Sequence, residues 1–358
     1  MIFPQRLFLV LPAVLLTTSH SFTTSGFAAT STLPTRHTAA AVGFEPRTTT
    51  ALSVSSSSTS TSRLCRAQGL MTSLIEDSQC YATTAGAQLF GDACAVNVIY
   101  DDCYEPQPIV GKQEVIQHML SKVAQRNNKG TVRIDRISDG DQACGFAWTW
   151  VTIPTNDNDN DSNNNKEQQQ EGLRGTTFVQ LNESGEIQYV REIPEPIFKP
   201  GDATIELLKA VTAGAVASPP PSYETKTPTI AHEIAQYLFC DVQGSSIDEA
   251  MRFFADSIQY RDFNYDNLLL GRDEVRKFIE DFSFPGITFR PQKFDDGHDA
   301  TCFTWEVVLE GAPETIKGIS YYELSPETRK IVYVRDVPES AIKPPILGKL
   351  ARQLRPGR

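Results

Sequence analysis

Apolar and polar positions along the 358-residue chain run through one programme of periodicities, then run through it again. In the first pass, Leu64, Leu70, Met71, Leu74 and Ile75 recur at helical spacing across residues 63–80. Residues 85–98 are predicted to continue as a helix, weakened by Gly86 and Gly91, before a short strand at 99–102. Residues 112–124 are amphipathic, with Val115, Ile116, Met119, Leu120 and Val123 on one face, and end at Asn127-Asn128-Lys129-Gly130. Strands follow around Val132, Ile134 and Ile137, over 143–153 around Trp148 and Trp150, over 174–181 and over 186–193. A helix at 202–212, with Asp202 placed to cap it, closes this half.

The second pass is more regular. It predicts a helix at 230–240, then a helix capped by Ser246 with Glu249 three residues on. The apolar face of that helix is Ile247, Ala250, Met251 and Phe254. A strand at 257–263 and a helix at 273–282 follow, the latter stopped before Pro285-Gly286. Strands at 288–294, 301–310, 318–324 and 330–337 complete it. This order predicts an α+β fold in each half, helices packed on a curved antiparallel sheet.

The repetition is literal at one point. Residues 331–344 and 187–200 share eight of 14 positions, through Tyr-Val-Arg, Pro-Glu and Lys-Pro. Working backward, Gly111 falls on Gly271, Tyr100 on Tyr260, Asp102 on Asp262, Trp148 on Trp305 and Gly175 on Gly318. Two copies of one domain are therefore expected, at 63–214 and 229–350, rather than a solenoid of short units. Pro219-Pro220-Pro221 makes 215–228 a semi-stiff linker, and a basic tail occupies 351–358. Residues 155–171, rich in Asn, Asp and Gln, read as an expanded, disordered hairpin loop.

Composition narrows the partners. A net charge of −11 argues against a nucleic-acid binder, which would want a basic face. The seven cysteines form no Cys-x-x-Cys, and His118, His232 and His298 are not at metal-ligand spacing. No phosphate-binding loop or nucleophile elbow occurs, so neither a cofactor nor a metal is expected. Residues 1–21, with an apolar run at 7–16, read as a signal peptide. Residues 22–62, rich in Ser, Thr and Ala, with Arg36, Arg47 and the single acid Glu45, read as a plastid transit peptide. The pair resembles the bipartite address of algae with complex plastids, with Phe22 or Phe27 behind the cleavage site; secretion with a Ser/Thr-rich stalk is the alternative. No integral membrane contact is expected of the mature chain.

The order Phe254-Ala255-Asp256, Tyr260-x-Asp262, Gly271-x-x-Glu274-Val275, Phe303-x-Trp305 resembles the nuclear transport factor 2-like superfamily, in its SnoaL-like branch. The stretch Gly318, Tyr322, Ile331-Val-Tyr-x-Arg-Asp, Glu339, Ile342-Lys-Pro is similar to plastid members of unassigned biochemistry. The resemblance covers both copies and implies two tandem cone-shaped α+β rolls, each enclosing an apolar pocket. It implies fold more than activity, because this fold serves many functions. Ketosteroid isomerases of the fold place a general-base Asp on the short strand after the second helix. The matching positions are Asp262 and Asp102, with Tyr260 and Tyr100 two residues earlier on the same strand face. A carboxylate at an apolar mouth suits a base, and a phenol beside it suits an oxyanion donor. The second acid of those enzymes falls near Ser320 and Thr177, neither of them acidic, which argues against their dienolate mechanism.

Three roles stay open for the carboxylates. Asp262 with Arg335, and Asp102 with Arg191, could be ion pairs bracing the short strand against the last. Either could be a polar group in a ligand pocket, with Ser320 and Trp305 beside it. Asp262 could be a catalytic base with Tyr260 as donor. His298, in Asp-Asp-Gly-His-Asp, reads as a turn residue. The expected ligand is a small apolar molecule or another plastid protein, with the two domains pairing inside the chain. The alternative is a cofactor-free isomerase, cyclase or dehydratase of a plastid terpenoid, pigment or polyketide-like substrate. The His-His-His-Ser-Ser stretch of iota-type carbonic anhydrases is absent.

Overall fold

The computed structural model describes residues 65–126, 130–152, 170–196, 198–312 and 315–340, apart from the side chains of 170 and 171. The leader at 1–21 and 22–62, the loop 155–171 except its last two residues, and the tail 351–358 lie outside them. The first half starts with α1 (Arg66–Thr72), extended by a wide π turn at Ser73–Asp77, and α2 (Thr84–Asp92). Thr83 caps α2 by accepting from the Gly86 N–H at 3.0 Å. Strand β1 (Cys94–Asp102) comes next, then the two-residue β2 (Ile109–Val110) and the long α3 (Lys112–Arg126). Four strands follow, β3 (Gly130–Ile137), β4 (Ala143–Thr152), β5 (Gln170–Leu181) and β6 (Ile187–Pro194), and α4 (Asp202–Val211) ends the half.

The second half repeats the order: α5 (Ala231–Gln236) with a π turn at Tyr237–Val242, α6 (Ile247–Met251), β7 (Phe254–Asp262) and β8 (Leu269–Leu270). Then come α7 (Arg272–Asp281), β9 (Ile287–Phe294), β10 (Ala300–Leu309), β11 (Ile316–Leu324) and β12 (Ile331–Pro338). The sheets have matching orders, β2-β1-β6-β5-β4-β3 and β8-β7-β12-β11-β10-β9. Each half is thus an α+β roll, its meander curling back so that the last strand lies beside the first.

That closure makes the sheets mixed rather than wholly antiparallel. β1 runs parallel to β6, and β7 parallel to β12, while the other neighbours are antiparallel. Strand β1 also begins at Cys94, where the spacing predicts helix to 98. The helix ends at Asp92, and from Cys94 the chain alternates sides as a strand, with Val98 and Tyr100 buried and Ile99 exposed. Asp202 is not a cap. Gly201 holds that position at φ +58°, and Asp202 stands in the first turn, where its charge suits the helix dipole. Ser246 does cap α6, accepting from the Glu249 N–H at 3.2 Å.

Each roll has its own core. Met71, Ile75, Phe90, Met119 and Trp148 fill the first, and Ile234, Ile258, Phe303 and Val334 the second. A third cluster, with Cys103, Phe178, Phe263, Cys302, Ile319 and Tyr321, lies between the sheets. Polar contacts around it come in reciprocal pairs. Asp139 Oδ1 accepts from the N–H groups of His298, Asp299 and Ala300, each at 3.0 Å. Asp296 Oδ1 accepts from those of Asp141, Gln142 and Ala143 at 3.0, 3.0 and 3.3 Å. Ser138 donates across to buried Asp295 at 2.5 Å. His298 is accordingly an exposed turn residue between β9 and β10.

Candidate functional site

Strand parity decides which side chains meet. Neighbours in register on parallel strands face the same way, and on β1 and β6 the register sets Asp101 beside Arg191 and Asp102 beside Glu192. Arg191 therefore pairs with Asp101, at 2.9 Å, and not with Asp102. It also donates to the Trp305 carbonyl at 3.2 Å, on the side where the two sheets meet. In the second roll Arg335 stands beside Arg261. It donates to Thr176 Oγ1 at 2.8 Å and the Gly175 carbonyl at 3.2 Å, and its guanidinium lies 4.2 Å from the Phe263 ring centre. Neither expected brace exists. Both arginines point out of the cones, so the structure removes Arg191 and Arg335 from the candidate site.

Inside the first cone, Asp102 belongs to a closed ionic network. Lys122 Nζ donates to Asp102 Oδ2 at 2.9 Å and to Glu192 Oε1 at 2.5 Å. His118 Nε2 lies 3.0 Å from Asp102 Oδ2, and the Tyr104 N–H donates to Oδ1 at 2.9 Å. Tyr100 donates to Glu192 Oε2 at 2.5 Å. Burial acts to raise the Asp102 carboxyl, but the Lys122 charge and the bonds from His118 and Lys122 win and hold it well below the usual range. Lys122 is itself desolvated, yet Glu192 and Asp102 hold its ammonium above the usual lysine range. Its Nζ lies 5.7 Å from the Tyr100 ring centre and 5.9 Å from that of Tyr81.

The second cone keeps the carboxylates and lacks the cation. Counting from the glycine before each helix, His118 corresponds to Phe278 and Lys122 to Phe282. Asp262 stands beside Asp336 on β7 and β12, as Asp102 stands beside Glu192. One Asp262 oxygen accepts from the Asn264 N–H at 2.7 Å. Among the described residues no Lys, Arg or His pairs with it. Burial first, and the Asp336 charge second, push Asp262 up to about 7. Asp336 accepts from Tyr260 and from Ser320, and burial pushes it up to about 6 against those two bonds. Trp305 Nε1 donates to Ser320 Oγ at 2.8 Å, as Trp148 Nε1 donates to Thr177 Oγ1 at 3.0 Å. Each indole lies over the glycine on the next strand. A Cβ on Gly318 would come within 2.0 Å of Trp305 Cζ2, and one on Gly175 within 2.4 Å of Trp148 Cζ2.

Four of the expected residues, Asp262, Tyr260, Ser320 and Trp305, thus meet in the second cone, and Tyr100 and Asp102 meet in the first. The Tyr260 hydroxyl is committed to Asp336, which makes it a positioning group rather than a free oxyanion donor. Glu192, Asp336, His118 and Lys122 are site residues that sequence reasoning misses. A signal for the first two exists, since the residue after the repeated Tyr-Val-Arg is acidic in both copies.

The walls differ too. Tyr81, Phe90, Met119 and Trp148 are all under 2% exposed in the first cone. In the second, Phe239, Phe278, Phe282, Phe284, Phe289 and Phe294 pack on the core yet keep part of their surface open. Phe278 lies 5.3 Å from the Tyr260 ring and 4.9 Å from Phe282. A separate hollow of about 650 Å³, lined by Lys226, Gln236 and Tyr237 among others, lies against the outer face of α5, and Asp262 is not part of its wall.

Residues 237–334 match the family model described as SnoaL-like domain, which spans most of the second roll. No curated protein matches the sequence. Among solved structures, a candidate ketosteroid isomerase from Kribbella flavida is 17% identical, covering 32% of this chain and 81% of that one, at a TM-score of 0.28. A nuclear transport factor 2-like protein of unknown function from Cytophaga hutchinsonii is 12% identical, over 35% and 98% of the two chains, at 0.27. A candidate SnoaL-like polyketide cyclase from Jannaschia is 8% identical, over 40% and 88%, at 0.27. The family match supports a SnoaL-like domain over residues 237–334.

Proposed function

We propose that this chain binds a small, largely apolar molecule in its second roll, and that the first roll is a sealed scaffold copy. One observation carries the reading: two carboxylates at the same place in the same fold are treated oppositely. Asp102 is neutralised by Lys122 and His118, whereas Asp262 sits beside a second acid, Asp336, with no cation paired to it among the described residues. An apolar cone with a few convergent polar groups is the common form of a ligand site, and the half-open phenylalanines of the second roll supply the apolar part. Native mass spectrometry of the protein purified gently from its own source tests this. A small molecule retained by the wild type and lost from a folded Asp262→Asn variant is the expected result; a bare chain in both, or equal retention, would sink it.

A second reading is favoured by the position of Asp262 near neutrality, which suits a general base. On that reading the second roll is a cofactor-free isomerase, cyclase or dehydratase of a terpenoid, pigment or polyketide-like substrate. Asp262 moves the proton, and Tyr260 and Ser320 hold Asp336 in place. Its signature is turnover that rises with pH through about 7 and vanishes in Asp262→Asn. The leader supports delivery to an algal plastid, with secretion as the alternative, and a fluorescent fusion to residues 1–62 separates the two.

A further inference from the structure

The first roll contains, as part of its own chain, the ligand type that the second roll lacks. Lys122 places a primary ammonium between Asp102 and Glu192, at 2.9 and 2.5 Å, with the Tyr100 ring on one side. In the second roll every acceptor of that arrangement recurs. Asp262 and Asp336 replace Asp102 and Glu192 on register-matched strands, Tyr260 replaces Tyr100, and the Asn264 N–H replaces that of Tyr104. The two basic groups are gone, because Phe282 aligns with Lys122 and Phe278 with His118. Asp262 is 8% exposed, and Asp336 beside it is half-buried.

Resting on the reading of the second roll as a ligand site, we propose that its ligand is a small organic amine bound as the ammonium ion between Asp262 and Asp336, its apolar body against Phe278 and Phe282. The chemistry is that of Lys122 made intermolecular: two carboxylates supply charge-assisted acceptors, and the Tyr260 and Phe278 rings supply cation-attracting faces. An uncharged ligand would leave both acids without a counter-ion. An anionic one would meet like charge from each.

Isothermal titration of the purified chain with matched pairs tests the proposal: phenethylammonium against phenethyl alcohol, and n-hexylammonium against n-hexanol, at about pH 8, where Asp262 is ionised. The ammonium member should bind about tenfold more tightly or better, the discrimination of one charge-assisted hydrogen bond. Asp262→Asn should erase that preference and leave alcohol binding in place. Phe282→Lys should block the ammonium by supplying a tethered one. At about pH 6, ammonium binding should release protons, seen as a heat that varies with the buffer, because it drives Asp262 and Asp336 to ionise together. Alcohols binding as well as or better than amines would overturn the amine assignment while leaving the pocket standing. If neither series bound, and Asp262 titrated as an ordinary surface carboxyl, the ligand-site reading would fall and the assignment with it.

Discussion

Replacing Asp262 by Asn should make the protein more stable at alkaline pH and change little at acid pH. Asn keeps the shape and an acceptor for the Asn264 N–H but removes the buried charge. Moving a carboxyl from 3.8 to about 7 corresponds to ~4 kcal/mol of preference for the neutral form. The folded value is raised, so the folded state holds a proton that the unfolded chain has already lost. The stability linked to that proton is fully present below 3.8 and is lost as pH rises through about 7. Asp336 and Tyr260 face Asp262, Tyr265 lies near it, and Asp336, raised to about 6, adds loss of the same sign. The two acids titrate as a pair, so the shift belongs to both. Asp295, also raised to about 7, makes the same contribution to wild type and variant and cancels in the comparison. Urea unfolding followed by tryptophan fluorescence at about pH 5 and about pH 8 should show the variant gaining up to ~3 kcal/mol on the wild type between the two. A gain independent of pH, or a loss at about pH 8, would refute the claim that Asp262 is buried without a counter-ion.

Three further outcomes follow from the same geometry. Lys122→Met should cost about 3–5 kcal/mol in urea melts near neutral pH, because it leaves Asp102 and Glu192 buried together without their cation. Gly318→Ala should cost about 1–3 kcal/mol and shift tryptophan emission, since the added methyl needs the space of the Trp305 ring. Asp139→Ala and Asp296→Ala should each cost about 1 kcal/mol by removing the acceptor shared by three largely solvent-reached backbone N–H groups of the opposite roll, and the two costs should be similar in thermal melts.

The fold is legible in the sequence because the chain states it twice. The shared Tyr-Val-Arg strand and the paired glycines at 111 and 271 are enough to align the halves. Errors fall where periodicity is ambiguous. Residues 94–98 carry apolar side chains compatible with helix or strand, and β2 and β8 are two residues long, too short for any pattern. At the site, the short-strand Asp and Tyr are readable, but their partners depend on register. One residue of parity separates Arg191 from Glu192 and Arg335 from Asp336, and that residue decides which side chain enters the cone and which enters the contact between sheets. His118 and Lys122 are visible as polar positions four apart on a helix, each followed by a buried residue, Met119 and Val123. Their meaning comes only from the aligned Phe278 and Phe282, a contrast between copies that no single motif carries.

The most direct measurement is a carbon-13 NMR titration of the aspartate side-chain carboxyls, with Asp102 and Asp262 assigned through their Asn variants. The expected result is a split pair: Asp262 titrating near 7, and Asp102 still ionised well below 3.8. Two ordinary carboxyls titrating together near 3.8 would contradict the contrast between a sealed copy and an open one.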